Sequence, residues 1–480
     1  MKKLLGIFLA VLMIASMSSI GFAADSEEWN EYWKTDEAHS GITVFPGGDE
    51  TQRRISWYSD TDALPKVTLT DSEGKSEIFE GRCFKTYDGA YADKVTVTGL
   101  KEGETYTYTC TSGDYTSEAY TIKPSSGSGF TALYLTDIHI SEGEEQNEGE
   151  DSLRDDSFIF NEVLEAAGKN AEPDIILSAG DQATQGLESE YRALAASPAY
   201  RNTSFAPVIG NHDRKGVAYK YFKNVPNEDT SNICGSYIGF DYWFVKGDTL
   251  FMVMESNNGS GIDHRSFMRS AVNANKDVKW RVVMMHHDLY SGRIPHRESE
   301  NKLLRLIWGP LFSEFDIDLA LLGHSHYYTV SNVIYNNKVT AEIKGNDVLT
   351  DAPGTVSIVS GSLNHPRNDP PEELGLNDTA GYYYAQQGDQ VLYSMIDFTE
   401  EEICVKSYSL DTGEQFNSIT LKKDSQKGGH PQKPSPAYQP FVNFIGTVYQ
   451  FFNNISVYDR LKESGFEVGL FEVLFNTKNP

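Results

Sequence analysis

The sequence predicts a layered α/β domain with substantial sheet, preceded by a small β-sandwich. Three observations carry this. Residues 41–123 fall into short alternating runs with no helical period. From residue 131 the rhythm becomes strand, helix, strand. Along that second region, five apolar runs each end in oxygen or imidazole side chains. With 480 residues, 39% hydrophobic and 12% aromatic, the chain has material for one large or two medium cores.

The N-terminus fixes the expected compartment. Lys2 and Lys3 precede an apolar run from Leu4 to about Ala15, and Gly21-Phe22-Ala23 or the following Ala24 suits a signal peptidase. Residues 1–24 are therefore expected to be a signal peptide, and the mature chain to be secreted or periplasmic. Ser16, Ser18 and Ser19 interrupt the run, which is too short for a membrane span. The formal charge of −28 becomes −30 when Lys2 and Lys3 leave with the signal. Such a surface repels nucleic acid and anionic membranes, so no nucleic-acid polymer is expected as a partner. The four cysteines (Cys83, Cys110, Cys234, Cys404) show no CxxC spacing. Cys83 and Cys110 share a module, and for them a disulfide and free thiols are equally weighted expectations.

Residues 25–124 supply the sandwich, in the strands ITVF, RRISWYS, KVTLT, KVTVTGL, TYTYTCT and EAYTIK. Leu100, Gly103 and Tyr106 in LKEGETY resemble the tyrosine corner of fibronectin type III-like domains. SSGSG at 125–129 reads as a linker. Residues 128–424 then form the layered α/β domain: strands at 131–137 and 174–181, a helix at 158–169, a second helix near Glu188 to Ala196, and the strand APVIG. Closing strands follow at 354–363, 390–398 and 402–410. The tail, 437–480, has apolar residues at helical intervals broken by Asn443, Gln450, Asn453 and Asn454, and is not a membrane span. It is expected to dock on the α/β domain; a homodimer or membrane-surface contact, and a mobile tail, are the alternatives.

In α/β sheets the residues just beyond the carboxyl ends of strands line the ligand crevice. Here those positions hold Asp137-Ile138-His139, Gly180-Asp181, Gly210-Asn211-His212-Asp213, His286-His287 and Gly323-His324-Ser325-His326. Residues two apart on an extended chain project to one side, so DxH and HxH can each close on one ion. Each motif alone is weak, but five in series on strand ends define a metal centre.

This order of motifs (DxH, GD, GNHD, a His after an apolar strand, GHxH) resembles the calcineurin-like metallophosphoesterase superfamily over residues 128–424. With the preceding sandwich it is most similar to the purple-acid-phosphatase-like branch. The resemblance implies an α/β fold of four layers, αββα, with two sheets. It also implies two metal sites: Asp137, His139, Asp181 and His326 around one ion, and Asp181, Asn211, His286 and His324 around the other. Asp181 is the expected bridge. The N/O ligand set accepts two divalent or mixed-valent ions, Mn, Fe, Zn or Co alike. Water bound by such a pair ionises near neutral pH and can attack phosphorus. His212, adjacent to the expected ligand Asn211, is then free to protonate the leaving oxygen, with Asp213 orienting it or raising its pKa. His287 and His296 are weaker candidates for substrate contact.

The sequence departs from the purple enzymes where Thr184 stands in place of their tyrosine ligand, so a colourless site is expected. GHSHYYTV also lacks their usual Glu-Arg pair, which leaves their substrate contacts without a counterpart. The function implied is a metal-dependent phosphatase acting on a small phosphomonoester. A phosphodiesterase and a non-catalytic adhesion protein on a phosphatase scaffold are the alternatives.

Overall fold

The computed structural model describes residues 27–142, 152–230, 238–290, 294–344, 346–366, 382–386, 390–424 and 440–463. The expected signal peptide, Cys234 and most of the acidic run at 142–151 lie outside the described residues.

The N-terminal region holds β1 (Thr43–Pro46), β2 (Gln52–Ser59), β3 (Lys66–Thr70), β4 (Ser76–Glu80), β5 (Arg82–Lys85), β6 (Tyr91–Thr98), β7 (Tyr106–Ser112), β8 (Tyr115–Thr116) and β9 (Tyr120–Ile122). They form two sheets, β1-β2-β6-β5 and β4-β3-β7-β8, with β9 also on β7. Alternate residues face inward: Ile55 and Trp57, Val67 and Leu69, Val95 and Val97, and Tyr108 and Cys110 meet in one core. The tyrosine corner forms as expected, with Lys101 N–H donating to the Tyr106 hydroxyl at 3.1 Å. The disulfide does not: Cys83 and Cys110 lie on strands of different sheets and both are free thiols.

An element not expected from sequence precedes the sandwich. Helix α1 (Glu27–Trp33) carries Trp29 and Tyr32, which donate to the carbonyls of Arg154 and Ala196 at 3.2 and 2.7 Å. It therefore packs on the catalytic region.

That region contains β10 (Phe130–Leu135), α2 (Ser152–Asn170), β11 (Ile175–Ser178), α3 (Glu188–Leu194), α4 (Pro198–Arg201), β12 (Ser204–Pro207) and α5 (Ala218–Phe222). There follow β13 (Tyr242–Lys246), β14 (Thr249–Met254), α6 (Gly261–Ala274), β15 (Trp280–Met285), α7 (Ile294–Glu314), β16 (Leu319–Leu322), β17 (Tyr328–Ser331) and the pair β18 (Val333–Tyr335) and β19 (Lys338–Ala341). The last elements are β20 (Val348–Thr350), β21 (Val356–Val359), β22 (Tyr382–Gln386), β23 (Leu392–Phe398), β24 (Glu402–Ser409), β25 (Gln415–Lys422) and α8 (Pro440–Glu463). Two seven-stranded sheets result, β12-β11-β10-β23-β24-β25-β20 and β13-β14-β15-β16-β21-β17-β22.

The period-2 alternation of the second sheet sets the layering. Phe251, Val253, Val282, Met284, Leu319 and Leu321 face the first sheet. Their neighbours Leu250, Met252, Val283, Met285, Ala320 and Leu322 pack on Phe267 and Met268 of α6 and on Trp308 and Leu311 of α7. On the other side, Phe160, Val163, Leu164 and Ala167 bury one stripe of α2 in the core shared with β10 and β11. Helix, sheet, sheet, helix is the four-layer order expected. Strands β10, β11 and β12 run parallel, as do β14, β15, β16 and β21. The carboxyl ends of both parallel sets therefore meet, and the Tyr134 hydroxyl ties them by donating to the carbonyls of Leu322 and Ile358.

Helix α8 docks on this framework, the first of the alternatives for the tail. The Gln450 side-chain Oε1 accepts from Gly259 N–H at 3.2 Å, and the Arg460 guanidinium donates to the Arg214 backbone carbonyl at 2.7 Å. Among the described residues, no helix is long and apolar enough to cross a membrane.

A buried ion pair fixes the start of α6. His264 Nδ1 lies 2.7 Å from Asp241 Oδ2, its Nε2 is 2.8 Å from the Asn258 carbonyl, and its ring stacks near Trp308. Burial alone would lower its pKa, but the Asp241 charge outweighs burial and raises it from 6.5 to about 9. Because the folded value lies above the unfolded one, this stabilisation is complete below pH ~6.5 and is lost as pH rises through about 9. It amounts to ~3 kcal/mol at most. Thermal melts should show Tm falling between pH ~7 and ~9, and His264→Gln should flatten that slope; an unaltered slope would assign it to other groups.

A candidate dinuclear metal centre at the strand ends

Each candidate ligand leaves a buried strand and turns at once. Asp137 and His139 follow β10, Asp181 follows β11, Asn211 follows β12, His286 follows β15, and His324 and His326 follow β16. The loops after β10 and β11 stay paired by backbone: Asp137 N–H donates to Gly180 O and His139 N–H to Asp181 O, both at 2.9 Å. The expectation that DxH and HxH act as extended chain is corrected by the dihedrals. Asp137, His139, Asp181, His324 and His326 have φ of 51°, 53°, 51°, 75° and 62°. Among the described residues, five of the ten non-glycine positions with positive φ are thus candidate ligands. Left-handed backbone costs a non-glycine residue roughly 1–3 kcal/mol and concentrates at functional sites.

Two glycines make the approach of these loops possible. A Cβ on Gly210 would fall 2.0 Å from Asp181 Oδ1, and one on Gly180, whose φ is +104°, would fall 2.5 Å from His286 Nδ1.

The donor atoms form two groups on either side of Asp181, and His212 closes a further set with His139 and Asp181. In the first, His326 Nε2 is 3.2 Å from His139 Nε2 and 3.3 Å from Asp137 Oδ1, and His139 Nε2 is 3.8 Å from Asp181 Oδ2. In the second, Asn211 Oδ1 lies 2.9 Å from His286 Nε2 and 3.0 Å from His324 Nδ1, while His286 Nε2 is 3.2 Å from Asp181 Oδ2. Asp181 Oδ1 is engaged elsewhere, accepting His212 N–H at 2.8 Å. One oxygen, Oδ2, therefore faces both groups.

The chemistry of this donor set fits divalent cations. Asp137 Oδ1 is buried without a hydrogen-bond donor. Backbone carbonyls fix the imidazoles: His286 Nδ1–H donates to Ala179 O at 3.0 Å and His326 Nδ1–H to His365 O at 2.9 Å, which turns each Nε2 toward the centre. Burial would raise both carboxylates, but His326 holds Asp137, and His286 holds Asp181, well below the usual range. His286 itself, which burial would lower, is raised to about 10 by Asp181. Two buried carboxylates thus demand positive charge at this point. Burial and the neighbouring His326 push His139 well below its usual value, leaving it a neutral donor.

His212 stands beside this centre, half-buried, with its ring 4.7 Å from that of His139. Its Nδ1–H donates to the Thr184 carbonyl at 3.0 Å, leaving Nε2 as the exchangeable position. Burial lowers its pKa, partly offset by Asp181. Asp213 does not orient it, contrary to expectation. That carboxylate turns inward, accepting from Gly210 N at 2.8 Å, Ala183 N at 3.1 Å and the Tyr191 hydroxyl at 2.7 Å. It braces the loop, and burial with Asp181 nearby lifts its pKa to about 7. The Thr184 hydroxyl lies 3.4 Å from His139 Nδ1.

His287 lies against His324 at 4.6 Å between ring centroids, with Nδ1 2.9 Å from the Ser256 hydroxyl. His296 is on α7 with its side chain outside the described residues. Sequence reasoning missed His365. Its ring lies 4.8 Å from that of His139, and its loop clamps the DxH turn through Ser362, whose hydroxyl donates to Asp137 O at 2.7 Å. The available signal was a sixth apolar strand, GTVSIV, followed by small residues and a histidine.

A four-layer fold with paired His/Asp groups where its sheets meet defines a metal-dependent phosphoesterase. Residues 130–328 match the calcineurin-like phosphoesterase family and residues 39–123 the purple acid phosphatase N-terminal domain, so the chain joins a calcineurin-like phosphoesterase domain to that N-terminal module. Among solved structures, a purple acid phosphatase from yellow lupin (Lupinus luteus) seeds aligns with a TM-score of 0.62 at 16% identity, covering 82% of this chain and 77% of its own. PhoD aligns at 0.53 with 9% identity, covering 86% and 98%. At these identities the likeness is one of fold. A search of the curated proteins by sequence found no match.

Proposed function

We propose that this chain is an exported dinuclear-metal phosphatase that hydrolyses small phosphomonoesters. The observation that carries the reading is the meeting of two donor groups on Asp181 Oδ2. Asp137, His139, Asp181 and His326 would hold one cation, and Asp181, Asn211, His286 and His324 the other. Bound there, the cations would lower the pKa of water and neutralise charge on the phosphoryl oxygens. The protein's own residues do the rest. Asn211 contributes a neutral oxygen, which adds a donor without repelling an anionic substrate. The carbonyls of Ala179 and His365 fix the ring orientation of His286 and His326. His212, anchored at Nδ1, holds at Nε2 the proton that the departing alcohol needs. Export is supported by Lys2 and Lys3 ahead of an apolar run and the small residues at 21–24.

The test is a panel of phosphomonoesters and diesters assayed before and after chelation. Stripping the metal should abolish turnover, and Mn, Fe(II) or Zn should restore it, with monoesters cleaved faster. Full activity in metal-free protein would refute the metal centre, and preference for diesters would overturn the substrate class alone.

A further inference from the structure

A second cationic feature lies at the joint between the sandwich and the catalytic region. A cavity of about 420 Å³ there is lined by Arg54, Glu80, Arg82, Phe84, Lys94 and Asn224, among others. Strand register places the cations on one face of the β2-β6-β5 sheet: Arg54 pairs with Thr96, and Arg82 pairs with Lys94 directly across. Like charges directly opposite on neighbouring strands destabilise a sheet. Arg54, Arg82 and Lys94 nonetheless form no ion pair with any described residue. Lys94 Nζ finds only the Lys220 carbonyl at 3.0 Å and the Phe84 ring at 5.5 Å. Arg54 reaches Asn224 Oδ1 at 3.5 Å, and its Nε is buried with no acceptor. The nearby carboxylates are committed, Glu80 to Lys66 and Glu228 to Lys223. Burial, followed by the Lys223 charge, pulls the Lys94 pKa down to about 7, and a bound anion would restore its proton. In a chain of net charge −28, two guanidinium groups and a buried amine with no ion-pair partner among the described residues around one cavity are not an average of the surface.

We propose that this cavity is a binding site for a phosphate group, separate from the strand-end centre. The Arg54 and Arg82 guanidinium forks beside the Lys94 amine suit an anion with several acceptor oxygens, such as phosphate. The Asn224 amide hydrogens are already spent on Ile55 O and Val95 O at 3.0 and 3.2 Å, so the donors to the anion are the guanidinium and amine groups of the sandwich.

Equilibrium dialysis of the full chain against inorganic phosphate tests this. Arg54→Gln and the surface variant Arg82→Gln should each bind this phosphate about tenfold or more weakly. At concentrations that fill the wild-type sites, each should hold one phosphate per chain fewer. Turnover of p-nitrophenyl phosphate should be unaltered, which shows the variants folded. Asp181→Asn, which damages the metal centre, should keep the joint site filled, so failure of the catalytic reading leaves this outcome distinct. A parallel arm with phenylphosphonate separates the sources: tighter binding than phosphate marks the head of an organic phosphate, and weaker binding marks free phosphate. Equal stoichiometry and affinity in wild type and both arginine variants would overturn the proposal.

Discussion

Asp181→Asn is expected to lose metal from both groups and to lower kcat/KM by ~10³-fold or more, the several kcal/mol that two cations contribute to such a reaction. The geometry leaves an asparagine no good orientation. Asp181 Oδ1 accepts the His212 backbone N–H, while Oδ2 faces the Nε2 atoms of His286 and His139 at 3.2 and 3.8 Å. An amide nitrogen in the first position opposes one donor to another. In the second it presents hydrogens where a lone pair is required, and either way the shared negative charge is gone. His139→Ala, by contrast, removes a donor from one group only and should chiefly weaken that site. Elemental analysis after dialysis distinguishes them. Near-wild-type metal content with near-wild-type turnover in the Asp181 variant would remove the shared-ligand assignment.

The motifs around this residue were readable because they are local. A buried strand, a small residue and a ligand-type side chain lie within a few positions in DIH, GD, GNH and GHSH, and the sheet order then brings them together. What sequence did not disclose depends on contacts across long separations. His365 enters through a loop that grips the DxH turn by its backbone, with no DxH or HxH spacing to announce it. Asp213 looks like the natural partner of His212 because they are neighbours. The tight turn sends the two side chains apart, so its carboxylate meets Tyr191 and the Gly210 amide instead. The left-handed dihedrals at five candidate ligands likewise follow from the packing of loops on each other and contradict local preference. Arg54, Arg82 and Lys94 lie on three different strands, and only the register of the sandwich makes them neighbours.

His212→Asn is expected to depress kcat/KM strongly on alkyl phosphates and mildly on p-nitrophenyl phosphate. A positioned acid contributes typically ~10²–10⁴-fold where the leaving oxygen needs a proton, and much less where it departs readily as an anion. An alkoxide is the first case and a nitrophenolate the second. Burial depresses the imidazole in the free protein. The negative charge of a phosphoryl group beside Nε2 acts in the opposite sense, so the proton is held when substrate is bound. The substitution isolates this role because the contact that orients Asp181 comes from the residue 212 backbone N–H, which asparagine keeps. Metal content should therefore match the wild type. Metal loss would make the ring a ligand or a prop, and an equal fall on both substrates with metal intact would assign it to holding the phosphoryl group.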